Sequence, residues 1–149
     1  MPPPAQTSPS RLRLAAWWIA TVLIALEMIT GGSWDLARTH LVRVIMIHLG
    51  YPLWMLSILG FWKVAGAVAI LVPRFPRLKE WAYAGMFFNY TGAVASHLFA
   101  GDGPSAWAVP AILVVLTVVS WALRPPARIL GGSLFAGAVT STPAPASSV

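Results

Sequence analysis

Four polar side chains stand inside apolar sequence: Glu27 within Leu14 to Thr30, Lys63 within Leu53 to Val72, and Asn89 and His97 within Trp81 to Ala100. A charged side chain at mid-depth in a bilayer costs about 2.5–3.5 kcal/mol or more unless it meets a partner or water, so these residues are the first candidates for chemistry. An ammonium and a carboxylate can pair or pass a proton, and an amide both donates and accepts hydrogen bonds. Depth follows from a rise of about 1.5 Å per helical residue. Lys63 lies nine residues from Val72 and Asn89 eight from Trp81, which puts both near the midplane at one level. Glu27 lies thirteen residues from Leu14, within reach of a lysine arm that climbs about one turn. His97, sixteen residues from Trp81, falls near the outer surface.

Three readings compete for this group. Glu27 and Lys63 form a buried ion pair that fixes helix packing, with Asn89 adding hydrogen bonds. Alternatively they line a polar pocket for a quinone head group, a proton or a small polar ligand, because charges retained in lipid mark such sites. In the third, Glu27 simply reaches the outer water.

The elements that position these residues follow from composition. Of 149 residues, 58% are hydrophobic and only 9% charged, too little polar surface for a water-soluble globule. A fourth apolar run, Ala106 to Leu123, joins the other three. Runs of about 20 residues suffice to cross a hydrocarbon core about 30 Å thick. Membrane strands would be about half as long, alternate in polarity and number at least about eight. The expectation is an all-α integral membrane protein, a four-transmembrane-helix bundle over residues 14–124. A polar, proline-rich stretch (1–13) and a Gly/Ser/Thr/Pro/Ala tail (125–149) read as disordered flanks. Arg11 and Arg13 could open a secretory leader, but no small-residue cleavage site follows a short apolar core, so a retained first span is expected.

The basic residues set an orientation. Seven fall on one side (Arg11, Arg13, Arg74, Arg77, Lys79, Arg124, Arg128) and two on the other (Arg38, Arg43), with Lys63 between them. The richer side is expected to be cytoplasmic, with both termini inside. This dispersal at span ends accounts for the formal charge of +6 through the lipid bilayer and not through nucleic acid. In the long outer connection, Leu36 to Gly50 gathers Thr39, His40 and Arg43 on one helical face and apolar residues on the other, as a short interfacial helix would. Trp34, Trp54, Trp81 and Trp107 lie near span ends, as interfacial aromatics do.

Two seams of small residues predict a helix contact. Ala82, Gly85, Asn89, Gly92 and Ser96 recur at spacings of 3 and 4, and Ser57, Gly60, Lys63 and Ala67 make a comparable face. The second and third spans are expected to pack through them, or to leave a narrow wet cleft along them. His40, His48 and His97 could share the outer surface, but no H-E-x-x-H, paired carboxylates or Cys/His spacing accompanies them, so they read as unrelated and no metal site is expected. The chain has no cysteine, so thiol relays and cysteine-ligated metals are excluded. P-loop, G-x-G-x-x-G and nucleophile motifs are missing, so no catalytic residue is assigned, and Gly31-Gly32 and Gly131-Gly132 read as turns.

The string HLGYP from His48 to Pro52, then Ile58-Leu-Gly60 and Lys63-Val-Ala-Gly66, is followed by VPRFPRLKEWAYAG from Val72 to Gly85, by Thr91-Gly-Ala93 and by Ser96-His97. Together they resemble the DoxX-like family of small four-helix bacterial membrane proteins, over roughly residues 14–124. The family takes its name from membrane subunits of a thiosulfate:quinone oxidoreductase; related proteins are linked to oxidative-stress complexes and to receptor chaperoning. The resemblance implies a multi-pass protein of the bacterial cytoplasmic (inner) membrane with other membrane protein subunits as partners. It reads first as a partner or assembly subunit of a membrane complex, and alternatively as a quinone-interacting subunit of a thiosulfate:quinone type oxidoreductase. In the second case Lys63 and Asn89 would hydrogen-bond the quinone carbonyls and a partner would bring the electron carrier, since no haem ligand pair or flavin motif is present. Many relatives carry an aspartate where this chain has Asn89, which removes a proton acceptor. A transporter is disfavoured by the absence of an inverted repeat or broken helix pair.

Overall fold

The computed structural model describes residues 10–125, and among them it has five helices and no strand: α1 (Arg11–Leu36), α2 (His40–His48), α3 (Met55–Leu71), α4 (Pro76–Phe99) and α5 (Pro104–Ala122). Of the flanks expected to be disordered, 1–13 and 125–149, Arg11 to Arg13 form the first turn of α1, where the Ser10 cap starts the helix; residues 1–9 and 126–149, with Arg128 and Gly131-Gly132, lie outside the described residues. Two helices, α1 and α5, are long and apolar enough to cross a membrane, with 26 and 19 residues. The apolar α3 has 17 residues, and α4 has 24 but is interrupted by Lys79, Glu80, Asn89 and His97.

Gly31-Gly32 is not a turn. The first helix starts at Ser10, whose hydroxyl accepts from the Arg13 amide, and runs through both glycines to Leu36. Mid-helix glycine costs about 0.5–1 kcal/mol relative to alanine, and the cost is met by close approach to α3. A Cβ at Gly32 would lie 3.0 Å from Lys63 Cβ and 3.0 Å from Val64 Cγ2.

Three helices stop in the same way at one end of the bundle. After α1, α2 and α4 a residue with positive φ (Arg38, Gly50 and Gly101) reverses the chain. The next amide bonds back to the carbonyl of Trp34, Met46 or His97, the 6→1 bond of a Schellman cap. At the opposite end α3 meets α4 through a tight turn with Arg74 and Phe75 both left-handed, and Pro76 opens α4 where a missing N–H is harmless. Lys79 is buried there, donating to the carbonyls of Ala69, Ile70 and Val72 at the end of α3. It is therefore a C-terminal helix cap as well as one of the seven basic residues counted above.

The four longer helices alternate in direction. Thr21, near the start of α1, meets Ser120 near the end of α5, and Tyr51, ahead of α3, meets Ser96 near the end of α4. They form a ring in which α1 contacts α3 and α5, and α4 contacts α3 and α5. The core at its centre is Ile24, Ala25, Met28, Ala67, Ile70, Tyr83, Met86 and Tyr90. Outside it the perimeter is apolar: Ile19, Leu23 and Leu26 on α1, Phe61 and Trp62 on α3, Trp81 and Phe88 on α4, and Val109, Ile112 and Val115 on α5 are all exposed.

Candidate functional site

Glu27, Gly31 and Asp35 follow one another at four-residue spacing, so they lie along one face of α1. That face meets Lys63 of α3. The Lys63 ammonium stands 3.0 Å from Asp35 Oδ2 and 3.8 Å from Glu27 Oε1, and the second Glu27 oxygen accepts from the Tyr90 hydroxyl of α4. Gly31 makes room between the carboxylates, since a Cβ there would lie 2.7 Å from Glu27 Oε1. The expected Glu27–Lys63 pair is thus present, but the nearer counter-ion is Asp35, a buried residue of α1 beyond the apolar run Leu14 to Thr30. Fully ionised, two carboxylates against one ammonium leave one negative charge.

The two small seams do not pack on each other as expected. The α3 seam turns to α1: a Cβ at Gly60 would stand 2.7 Å from the Gly32 carbonyl oxygen, and Ala67 is fully buried in the core. The α4 seam faces open space, with nothing within 4 Å of a Cβ at Gly85 or Gly92. Between α3 and α4 lies a cleft of about 540 Å³, with Trp62, Ala65, Gly66, Trp81, Gly85 and Phe88 among its walls and Lys63 and Asn89 as its polar groups. The Asn89 amide makes no hydrogen bond to another described residue. A second cavity of about 430 Å³ continues toward α2, and both are lined by Leu59, Lys63, Phe88 and Asn89. Lys63 and Asn89 therefore come together on the walls of one space.

His97 goes elsewhere. Its Nδ1 is 2.7 Å from Asp102 Oδ2, and His48 Nε2 is 2.8 Å from Asp102 Oδ1. Two of the three histidines read as unrelated are thus joined through one carboxylate, while His40 sits exposed at the start of α2. The Schellman cap of α4 places Asp102 here, since its amide bonds the His97 carbonyl. Hydrogen bonds from His97 and then His48 hold the Asp102 carboxyl below its usual range. Beside it the Tyr51 hydroxyl is 2.8 Å from Ser96 Oγ, which also donates to the Gly92 carbonyl. Among the described residues no group of three metal-ligating side chains is arranged to hold an ion.

At the opposite end a second polar network ties the bundle. Arg124 bonds Glu80 at 2.7 Å and lies over the Tyr83 ring, and Ser120 links Thr21 to the Tyr83 hydroxyl. The bonds from Arg124 to Glu80 and from Ser120 to Thr21 and Tyr83 cross between neighbouring elements, while Arg124 Nη1 stays buried without a partner among the described residues. This network ties α1, α4 and the end of α5 together, whereas the Asn89 amide lines the α3–α4 cleft.

A family model described as the DoxX-like family matches residues 19–120. The chain belongs to the DoxX-like family. Among curated proteins, one relative is the uncharacterized protein YdgD of Bacillus subtilis (strain 168), 27% identical over 100 residues that make up 66% of this chain and 87% of the relative. No solved structure matches the chain. The DoxX-like match spans all five helices in whole or part and includes Glu27, Asp35, Lys63, Asn89, His97 and Asp102.

Proposed function

We propose that this DoxX-like protein is a four-span subunit of a complex in the bacterial cytoplasmic membrane, with both termini inside, and that its α3–α4 cleft binds an amphipathic ring ligand of the quinone class. The exposed apolar perimeter and the alternating helices support the four spans. Arg11, Arg13, Arg74, Arg77 and Arg124 at one end against Arg38 and Arg43 at the other support the orientation.

Asn89 is the observation that carries the ligand. A half-buried amide on an apolar cleft with no protein partner is free to bond a ligand, and the bare faces of Gly85 and Gly92 leave the space for one. A quinone fits this donor set. Asn89 would donate to a carbonyl oxygen, the Lys63 ammonium would be a second donor, and Trp62, Trp81 and Phe88 would supply apolar walls for ring and tail. When bound, a quinone supplies the two-electron chemistry, and the electrons come from a partner subunit. Lys63 is itself kept in place by Asp35 and Glu27, so the charge it presents is held and not mobile.

The test is the melting temperature of the purified protein in mild detergent with ubiquinone and menaquinone analogues. Ligand at 100 times Kd stabilises the native state by about 2.7 kcal/mol, so wild type should melt higher and Asn89→Leu should not. No shift across the panel would leave the membrane-partner reading alone.

A further inference from the structure

The cavity that continues from the cleft toward α2 differs from it in chemistry. Below the shared residues the walls are rings and small apolar side chains; above them Asp35, Tyr51, Ser96 and His97 are added. The roof of this outer chamber is α2, through Val42, Ile45, Met46 and Leu49. That helix is attached unlike the others. It makes no extensive contact with any of the four longer helices, and Met46 is its one buried residue. It is flanked by the left-handed residues Arg38 and Gly50, at φ of 49° and 77°, positions where the chain can turn about a single residue.

What holds α2 in place is concentrated at its two ends. Arg38 bonds Ser57 Oγ at 3.0 Å at one end. At the other, His48 closes on Asp102, which also holds His97 of α4, and Tyr51 closes on Ser96. Asp35, the acid on these walls, is engaged by Lys63, and His40 and Arg43 of α2 are exposed. Asp102 is thus the carboxylate that ties the roof to the α4–α5 turn.

We propose that the outer chamber is a second entrance to Lys63 and Asn89, for water and small hydrophilic solutes, with α2 as its lid and Asp102 as the clasp that keeps the lid closed. The inference concerns a route and not an occupant. It goes beyond the quinone reading, which requires only the lateral cleft.

The chain has no cysteine, so a single introduced thiol reports on the chamber without background. Ala93 lines the outer chamber and not the cleft, and Ala100 is exposed just past α4. In detergent, where both ends of the bundle meet the reagent, Ala93→Cys should react with a small charged methanethiosulfonate about tenfold more slowly than Ala100→Cys. Adding His48→Ala or Asp102→Asn should speed Ala93→Cys at least about fivefold and leave Ala100→Cys unchanged. Unchanged Ala93→Cys rates in both variants, with melting transitions showing them folded, would overturn the lid. Should Asp102→Asn fail to fold, His48→Ala carries the test alone, because its ring is half-exposed. The rate is measured without quinone, so this result and the thermal shift fail independently.

Discussion

Lys63 is bound more closely by Asp35 than by Glu27, and the two carboxylates lie eight residues apart on one helix face with Gly31 midway. Removing one partner of a buried pair costs about 3–5 kcal/mol when the other charge stays uncompensated. The Asp35 side chain is 6% exposed and the Glu27 side chain 27%. Asp35→Asn should therefore lower stability in detergent by about 3 kcal/mol and Glu27→Gln by about 1 kcal/mol. A double-mutant cycle should couple Lys63→Met more strongly to Asp35→Asn. The reverse ranking would refute the assignment of Asp35 as the principal counter-ion.

The glycines of α3 and α4 should respond oppositely to a methyl group. At Gly60 it would meet backbone, 2.7 Å from the Gly32 carbonyl oxygen and 2.9 Å from the Leu36 amide nitrogen, neither of which can rotate away. Gly60→Ala should cost about 1–3 kcal/mol by overpacking. Gly85→Ala and Gly92→Ala enter open space and should be neutral or stabilising by up to about 1 kcal/mol. Melting temperatures of the three variants decide it, and equal losses at all three would contradict the open cleft.

The clasp carries a pH signature. Hydrogen bonds from His97 and His48 lower the Asp102 carboxyl from its usual 3.8. A lowered folded-state pKa stabilises the closed form above the unfolded value, and the benefit is lost as pH falls through the folded value. The melting-temperature gap between wild type and Asp102→Asn should be open at about pH 5 and close below about pH 4. A gap that widens on acidification below that range would mean Asp102 is not the acceptor.

The proposed topology, four spans with both ends inside, would place the α4–α5 turn, Gly101 to Gly103, outside and a reporter after Val149 inside. Alkaline phosphatase fused in the turn should be active and the same enzyme fused after Val149 inactive, with a cytoplasmic fluorescent reporter behaving conversely. An active phosphatase after Val149 would sink the topology.

The helical class and the positions of Lys63 and Asn89 were legible because a charge and an amide stand out in apolar sequence. Asp35 was not, because Gly31-Gly32 reads as a turn until α3 is known to press against it; the spacing Glu27, Gly31, Asp35 was the available signal. Asp102 hid in a glycine-rich turn: Gly101 marks the αL position of a helix cap, but nothing in the sequence says which side chains the residue after it will meet. Lys79 entered the charge count with no hint of its capping role, since the carbonyls it bonds belong to the preceding helix. The packing of Gly60 on α1 was invisible for a general reason: a small-residue seam announces a close neighbour without naming it.

Lys79 gives the cleft a lever. By bonding the last carbonyls of α3 from the first turns of α4, it pins the two helices together at that end, so widening the space between them is a rotation about the pinned point. Over the 17 residues of α3, roughly 25 Å at the usual helical rise, each degree moves the far end by about 0.4 Å. Lys63 and Asn89 sit about halfway along. A molecule that spread the helices at that level would displace the α2 end by about twice as much, and the strain would fall on the Tyr51–Ser96 bond, which joins the segment ahead of α3 to α4 there.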